Sequence, residues 1–195
     1  MKKQNGLDAI KFLLKKAFFT AAEARAFGVS PSLLDYYVKK GAIKRVRRGL
    51  YQSRKYRNLS LFQWEDLIET VCSIPNGTVC LISALAIYEL TDEIPRQHWI
   101  GIPHQTSTQK RRGIKIVRFR NASLGKTEIE LEGVQIPIFD RERTILDSFR
   151  LISKETAIKA LKMALASKTI DLIKLQNYAK KLRINIHPFL MTLAV

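Results

Sequence analysis

The chain has 195 residues, 46% of them hydrophobic and 26% charged, which is enough apolar sequence for a folded protein with a sizeable core. It carries 34 Lys and Arg against 17 Asp and Glu. The formal net charge of +17 indicates a polyanionic partner, most often nucleic acid, with an anionic membrane as the rival. No apolar run approaches the roughly 20 residues of a membrane-spanning helix, and lysines interrupt the stretch that an export signal would need. We therefore expect a cytoplasmic protein without a membrane partner.

The positive charge is concentrated near the N-terminus. Residues 1–60 contain 15 Lys or Arg and three acids, a net charge of +12. The other 135 residues contain 19 basic and 14 acidic side chains, a net charge of +5. This asymmetry predicts a nucleic-acid-binding module at the front of the chain. We expect a DNA-binding domain over residues 1–57 and a second, α/β domain over residues 58–195.

The first sixty residues predict three short helices followed by a basic β-hairpin. The second helix begins with a capping box, in which the Thr20 hydroxyl and the Glu23 carboxylate each accept a backbone N–H. Ser30 caps the third helix, and Pro31 occupies its first position, where a missing N–H costs nothing. The predicted bounds are Asp8 to about Phe18, Thr20 to about Phe27 and Ser30 to Gly41 for the helices, and Ile43–Val46 and Leu50–Gln52 for the strands.

The third helix has two faces of different chemistry. At about 100° per residue, Leu34, Tyr37 and Val38 fall on one side, where they can pack on a core. The opposite side is polar and lacks acids, which suits a helix lying in the major groove of DNA, where each base pair presents a distinct edge. The predicted groove contacts are Ser32, Tyr36, Lys39 and Lys40.

The hairpin is the predicted wing of a winged helix-turn-helix. Gly49 permits the positive φ of a tight turn, and the neighbouring cations can contact phosphates or enter a narrow minor groove. The alternative is a small protein-binding module with solvated lysines, in which Tyr36 packs on a neighbour. DNA binding is favoured because the helix caps, the turn glycines, the polar outer side of the third helix and the charge distribution all agree with it. The predicted wing contacts are Lys44, Arg45, Arg47 and Arg48.

The rest of the chain predicts strands framed by helices, so the fold class is α+β. Gln105–Gly113 is predicted to be a mobile basic loop. The predicted strands are Val79–Ile82, Trp99–Pro103, Ile114–Phe119, Thr127–Leu131 and Val134–Phe139. The predicted helices are Leu61–Ser73, one capped by Ser83 and running to about Leu90, Arg141–Leu151, Ser153–Ala166, Ile170–Leu182 and a short piece near the end.

No catalytic or metal-binding pattern stands out. His98, His104 and His187 lack a second ligand at metal-like spacing, and no phosphate-binding glycine loop is present. We expect no enzymatic activity, no metal and no cofactor. The alternative is a metal-dependent nuclease that groups Lys126, Glu128, Glu130, Glu132 and Asp140 around a divalent cation, but alternating acids are more typical of a solvated strand face.

Two further groups of residues are expected to be structural. Cys72 and Cys80 predict buried thiols in a reducing compartment, with a disulfide as the minority option. Three arginines lie among three acids at the start of one predicted helix. We favour a structural role for them, as helix caps and ion pairs. The alternative is a basic surface that binds DNA or the target that a toxin modifies. These residues are Asp140, Arg141, Glu142, Arg143, Asp147 and Arg150.

Nearly the whole chain resembles the AbiEi antitoxin family, the regulator half of the AbiE toxin–antitoxin and phage-abortive systems. The resemblance is most specific in its C-terminal blocks. The segments that carry it are Phe27–Ser30, Lys40–Tyr51, Ile82–Thr91, His98–Pro103, Phe139–Arg150 and the helix from Lys154 to Leu165.

The resemblance implies a fold and two activities. The fold is an N-terminal winged helix-turn-helix followed by a mixed α/β antitoxin domain with a helical C-terminus. The first domain would repress the protein's own operon at inverted repeats in double-stranded DNA, with two copies at each operator. The second would counteract an AbiEii-like nucleotidyltransferase toxin without a stable complex, as a type IV system does. Charge and periodicity support only the DNA-binding half, and a regulator whose second domain senses a ligand remains the alternative.

Overall fold

The computed structural model describes residues 6–16, 18–54, 64–108 and 112–193. It is a mixed α+β fold, as predicted. The chain divides into two compact units, one formed within residues 1–73 together with 129–136, the other within residues 74–128 together with 137–195. The predicted domain boundary at 57/58 falls in residues 55–63, outside the described residues, and stays a prediction.

The first unit contains four helices and three strands among its described residues up to position 73. In chain order the elements are α1 (Gly6–Leu13), β1 (Phe18–Thr20), α2 (Ala21–Ala26), α3 (Pro31–Lys39), β2 (Ile43–Arg47), β3 (Leu50–Ser53) and α4 (Glu65–Ser73). The strands form an antiparallel sheet in the order β1-β3-β2.

Local hydrogen bonds set the starts of α2 and α3. The Thr20 hydroxyl accepts the Glu23 backbone N–H (3.1 Å), and the Glu23 carboxylate accepts the Thr20 backbone N–H (2.7 Å). The Ser30 hydroxyl accepts the Leu33 backbone N–H (3.2 Å), and Pro31 occupies the first helical position. Both predicted caps are therefore confirmed, and each satisfies a donor that the helix itself leaves unpaired.

The strand β1 is a correction, because the first helix was expected to continue to about Phe18. The helix ends at Leu13, and Phe18 and Phe19 instead pair with Gln52 and Tyr51 of β3. Both phenylalanines are buried, and the Phe19 ring stacks on Tyr51 with centroids 5.7 Å apart. Burial against a strand distant in the sequence outweighs the helical periodicity of the segment.

The strands after residue 73 are β4 (Thr78–Val79), β5 (His98–Pro103), β6 (Ile114–Phe119), β7 (Lys126–Leu131) and β8 (Val134–Phe139). They form a five-stranded sheet in the order β6-β5-β4-β8-β7. β5 runs parallel to β6 and antiparallel to β4, while β8 runs parallel to β4. The helices are α5 (Leu81–Ile87), α6 (Arg141–Leu151), α7 (Lys154–Ala166), α8 (Leu172–Leu182) and α9 (His187–Leu193).

The segment after Val79 is the second correction. It was expected to continue as a strand to Ile82, with Ser83 capping a helix. The strand instead ends at Val79, Cys80 stands at the helix N-cap without a side-chain cap bond, and the helix begins at Leu81. Ser83 lies buried inside α5, where its hydroxyl accepts the Trp99 backbone N–H (2.9 Å). A short apolar run fits a buried strand and a buried helix equally well, so periodicity could not separate the two.

The remaining predicted elements occur with bounds shifted by up to four residues. The last long helix begins at Leu172 rather than Ile170, because the Asp171 carboxylate caps it by accepting the Lys174 backbone N–H. For the predicted helix Leu61–Ser73, the structure gives Glu65–Ser73, and residues 61–63 lie outside its described part. Residues 109–111 of the loop Gln105–Gly113 also lie outside it, so the character of that loop stays a prediction.

Each unit has its own apolar core. Ile10, Phe19, Leu34 and Ile43 belong to the first, and the second joins residues of α5 to α8 with Ile186. Cys72 and Cys80 are both buried, as predicted. Over the residues that the structure describes, no helix is long and apolar enough to cross a membrane.

Candidate nucleic-acid interface

Helix α3 presents a polar, acid-free face to solvent. Leu34 anchors the other side of the helix in the core with 2% of its surface exposed, whereas Tyr36 is 52% exposed. The predicted groove residues Ser32, Tyr36, Lys39 and Lys40 are all exposed. The structure therefore places these four exposed side chains on the side of α3 that the periodicity predicts.

Neighbouring side chains hold Tyr36 in place without covering it. Its ring meets the Tyr37 ring edge-on with centroids 5.3 Å apart, and the Lys40 ammonium lies 5.6 Å from its centroid. Tyr36 therefore packs on its neighbours, as the alternative to a base contact predicts, yet 52% of the residue's surface remains exposed. An aromatic side chain exposed to this extent can still contact a base or a sugar.

The hairpin of β2 and β3 carries the second group of cations. Lys44, Arg45 and Arg48 are exposed, while the side chain of Arg47 lies outside the described part of the chain. Gly49 has φ +84°, which supplies the turn that the sequence predicts. The carbonyl of Gly49 accepts the Ala21 backbone N–H (2.8 Å), so the turn is tied to the first residue of α2.

An acidic helix lies beside one strand of this hairpin, a contact that the sequence alone does not predict. The Lys44 ammonium lies 3.4 Å from the Glu69 carboxylate of α4, and the Gln52 amide donates to Glu65 of the same helix. Because Lys44 and Glu69 are both exposed, their pair is weak and can yield to a phosphate. No local pattern predicts this contact, since it joins residues 25 positions apart.

Most of the cations on this surface have no acidic partner. Lys39, Lys40, Arg45 and Arg48 form no ion pair with any residue that the structure describes. Glu23, by contrast, is engaged by the Lys16 ammonium at 2.8 Å and by the helix cap. Cations therefore outnumber acids among the exposed side chains of α3 and the hairpin, where Asp35 is the exposed acid of the described residues. An excess of this kind favours a polyanionic partner.

Glu23 is held in its charged form. Burial raises the pKa of this carboxyl, but hydrogen bonds from the Lys16 ammonium, the Thr20 backbone N–H and the Thr20 hydroxyl outweigh burial and bring the pKa below its usual value of 4.5. The negative charge stands at the N-terminal end of α2, where the helix dipole also favours it.

Arg143, near the start of α6, has a structural role. Arg143 is 1% exposed, and its Nε donates to Asp147 (2.5 Å) while its Nη1 donates to the carbonyls of Asn121 (3.0 Å) and Leu124 (3.1 Å). The Asp140 carboxylate caps α6 by accepting the Arg143 backbone N–H (2.8 Å). The favoured expectation of caps and ion pairs is confirmed for Asp140, Arg143 and Asp147. Arg150 adds a second guanidinium on Asp147 (3.0 Å).

Lys174 is the member of this cluster that the sequence did not reveal. Its ammonium lies 3.1 Å from the Asp140 carboxylate and 3.0 Å from the Glu142 carboxylate, which ties α8 to the start of α6. Burial lowers the pKa of Lys174, but the two carboxylates more than offset that effect and raise it above its usual value. The Tyr178 hydroxyl also donates to Asp140 (3.1 Å).

Three of the four acids in the nuclease alternative have other partners. Glu130 accepts from the Gln135 amide (3.2 Å), Glu132 from the Trp64 backbone N–H (3.4 Å), and Asp140 serves as the cap of α6. Among the described residues no group of three or more His, Cys, Asp or Glu side chains is arranged to hold a metal ion.

A family model matches the N-terminal segment that contains α3 and the hairpin. Residues 8–54 match a family model described as "Transcriptional regulator, AbiEi antitoxin". The match confirms the resemblance over the segment that contains α2, α3 and the hairpin. A search of curated proteins finds no match to the chain.

Proposed function

We propose that this chain is a DNA-binding transcriptional repressor and the antitoxin of an AbiE-like system. The observation that carries the proposal is the exposed polar face of α3 beside a cationic hairpin, within the segment that matches the AbiEi regulator family. Under this proposal α1 to β3 form a winged helix-turn-helix, with α3 as the recognition helix and the β2–β3 hairpin as the wing.

In this arrangement the two groups of residues have different tasks. Ser32, Tyr36, Lys39 and Lys40 reach base edges in the major groove and supply sequence preference. Lys44, Arg45, Arg47 and Arg48 contact phosphates or the adjacent minor groove and supply affinity that does not depend on sequence. Lys44 takes part only when its pair with Glu69 opens, which costs little at an exposed site.

The antitoxin half of the proposal rests on the family match and on the resemblance of the C-terminal blocks. The protein acts in the cytoplasm, binds inverted repeats of its own promoter as two copies per operator, and uses residues 58–195 to counteract a nucleotidyltransferase-like toxin. It does so without a stable complex with that toxin, and it is not an enzyme.

Gel-shift titration tests the recognition helix. The wild type is expected to bind a duplex from the gene's own upstream region more tightly than a scrambled duplex, and the variant Lys39→Ala/Lys40→Ala is expected to lose at least about tenfold in affinity for the upstream duplex, since each good base contact contributes about 1–3 kcal/mol. Lys154→Ala/Lys162→Ala removes two exposed lysines of α7 and serves as the matched control. Equal losses in both double variants, or no preference of the wild type for the upstream duplex, would refute recognition by α3.

The same variants separate the two activities. When each is produced together with a toxin encoded beside the gene, Lys39→Ala/Lys40→Ala should still restore growth, because neutralisation is assigned to the second domain. Loss of growth rescue in that variant, with the protein folded and present at wild-type level, would contradict the assignment of the two activities to separate domains.

A further inference from the structure

A small cavity lies where α8 meets α9. Its volume is about 270 Å³, just under the roughly 300–1,000 Å³ that is typical of small-molecule sites. A recess of this size suits an apolar side chain of a partner better than a cofactor. Its lining includes Gln176, Ala179, Lys180, Ile184, His187 and Leu190.

Exposed apolar side chains continue from the cavity along both helices. Ile173 is 74% exposed and precedes Gln176 by three residues, so the two lie on one face of α8. Met191 is 59% exposed and follows His187 by four residues on α9. Single exposed apolar residues are ordinary, but apolar side chains grouped around a concavity are typical of interaction sites.

The segment that forms this surface is strongly basic. Between Leu172 and Leu193 the sequence has four Lys or Arg residues and no acid. Lys174 is bound by Asp140 and Glu142, whereas Lys180, Lys181 and Arg183 form no ion pair with any described residue. Lys180 lines the cavity itself, which places an available cation at the edge of an apolar recess.

We propose that this α8–α9 surface, made of the cavity, Ile173, Met191 and the three available cations, docks an acidic amphipathic segment of a partner protein. An apolar side chain of the segment enters the cavity, its neighbours cover Ile173 and Met191, and its carboxylates face Lys180, Lys181 and Arg183. This is the arrangement by which an amphipathic helix binds a groove with charge complementarity at the rim. The inference does not depend on DNA binding by α3.

Charge and shape disfavour the other occupants. A second copy of this chain carries a net charge of +17, and a two-fold interface would set the same lysines against each other. Nucleic acid would use the cations but would leave Ile173, Met191 and the cavity without an apolar partner. An acidic amphipathic segment satisfies both features together.

A designed fluorescent peptide tests the proposal on the full chain. The probe has Leu at positions i, i+3, i+4 and i+7 and Glu elsewhere; a scrambled peptide of equal composition lacks the apolar stripe. Fluorescence anisotropy at about 0.15 M salt should show at least tenfold tighter binding of the amphipathic probe than of the scrambled one. Lys180→Glu and Ile173→Asp should each weaken that binding about tenfold or more.

Matched variants separate this surface from the general charge of the protein. Lys162→Glu on α7 makes the same charge change as Lys180→Glu, and Ile94→Asp makes the same polarity change as Ile173→Asp at a residue that is 90% exposed. Both controls should bind the probe like the wild type. If Lys180→Glu lowers the melting temperature, Ile173→Asp decides the outcome.

Four results would overturn the proposal. The first is that the amphipathic probe does not bind, and the second is that the scrambled peptide binds equally well. The third is that Lys162→Glu on α7 weakens binding as much as Lys180→Glu does. The fourth is that duplex DNA displaces the probe from the variant Lys39→Ala/Lys40→Ala. Self-association of the wild type that Met191→Asp abolishes would assign the surface to a second copy of the chain instead.

Discussion

Arg143 is a buried charged side chain that contacts several elements of the second unit. It is among the largest fully buried side chains, and its guanidinium lies 5.3 Å from the centroid of Phe119 and 5.0 Å from that of Phe139. Burial raises the pKa of its partner Asp147, although Arg143 and Arg150 both oppose that shift. Gly125, with φ +69°, leaves room for this cluster, since a Cβ there would lie 2.7 Å from the Cβ of Arg143.

The sequence predicted the pairing around Arg143 but not its burial. The sequence pattern of an arginine and an aspartate four positions apart is the same whether the pair lies on the solvent-facing or on the core-facing side of a helix. The distinction comes from the carbonyls of Asn121 and Leu124, which belong to a loop that no local signal connects to α6.

Replacing Arg143 tests how much its buried ion pair with Asp147 contributes to the free energy of unfolding. Arg143→Met should lower the free energy of unfolding by about 3–5 kcal/mol, because Asp147 loses its buried partner. The double variant Arg143→Met/Asp147→Leu should be less destabilised than the single one, because it leaves no buried charge unpaired. Denaturant unfolding followed by circular dichroism measures both. A double variant at least as unstable as Arg143→Met would show that the lost packing, rather than the unpaired charge, dominates.

At the scale of elements, prediction succeeded where the signal is local. A few adjacent residues determine each of three helix starts: the capping box of α2, the Ser30–Pro31 start of α3 and the Asp140 cap of α6. It failed for β1, which exists only because β3 lies next to it, and for α5, whose apolar run has no period of its own. Elements defined by a distant partner are the ones that pattern alone does not identify.

The α2 capping box makes a pH-dependent prediction. The folded pKa of Glu23 lies below the usual 4.5, so its ionisation adds stability above pH 4.5, and that stability is lost as the pH falls through the folded value. Glu23→Gln should therefore melt at a lower temperature than the wild type near pH 7, with the difference shrinking below pH 4.5. Glu128→Gln, at an exposed position of β7, is the control and should show no such trend. A Glu23→Gln deficit that stays constant from pH 7 to the acid side would mean that Glu23 has no ionisation-linked role.

At the scale of the whole molecule, charge distribution was the most informative feature of the sequence. A net charge of +12 within residues 1–60 predicted a polyanion-binding module there, and the structure places exposed, unpaired cations on α3 and the hairpin. Two whole-molecule features escaped prediction: the acidic helix α4 beside Lys44, and the basic apolar surface of α8 and α9. The excess of basic residues between Leu172 and Leu193 is visible in the sequence, but the contact of α4 with Lys44 and the cavity between α8 and α9 arise from tertiary packing.

The salt dependence of DNA binding tests the central proposal most directly. The logarithm of the association constant for a labelled duplex should fall linearly with the logarithm of salt concentration, and Arg45→Gln/Arg48→Gln should flatten that slope by about one per removed cation on upstream and scrambled duplexes alike. Lys154→Gln/Lys162→Gln should retain the wild-type slope. An unchanged slope in the hairpin variant, or the same flattening in the α7 control, would contradict a DNA-binding surface built from α3 and the hairpin.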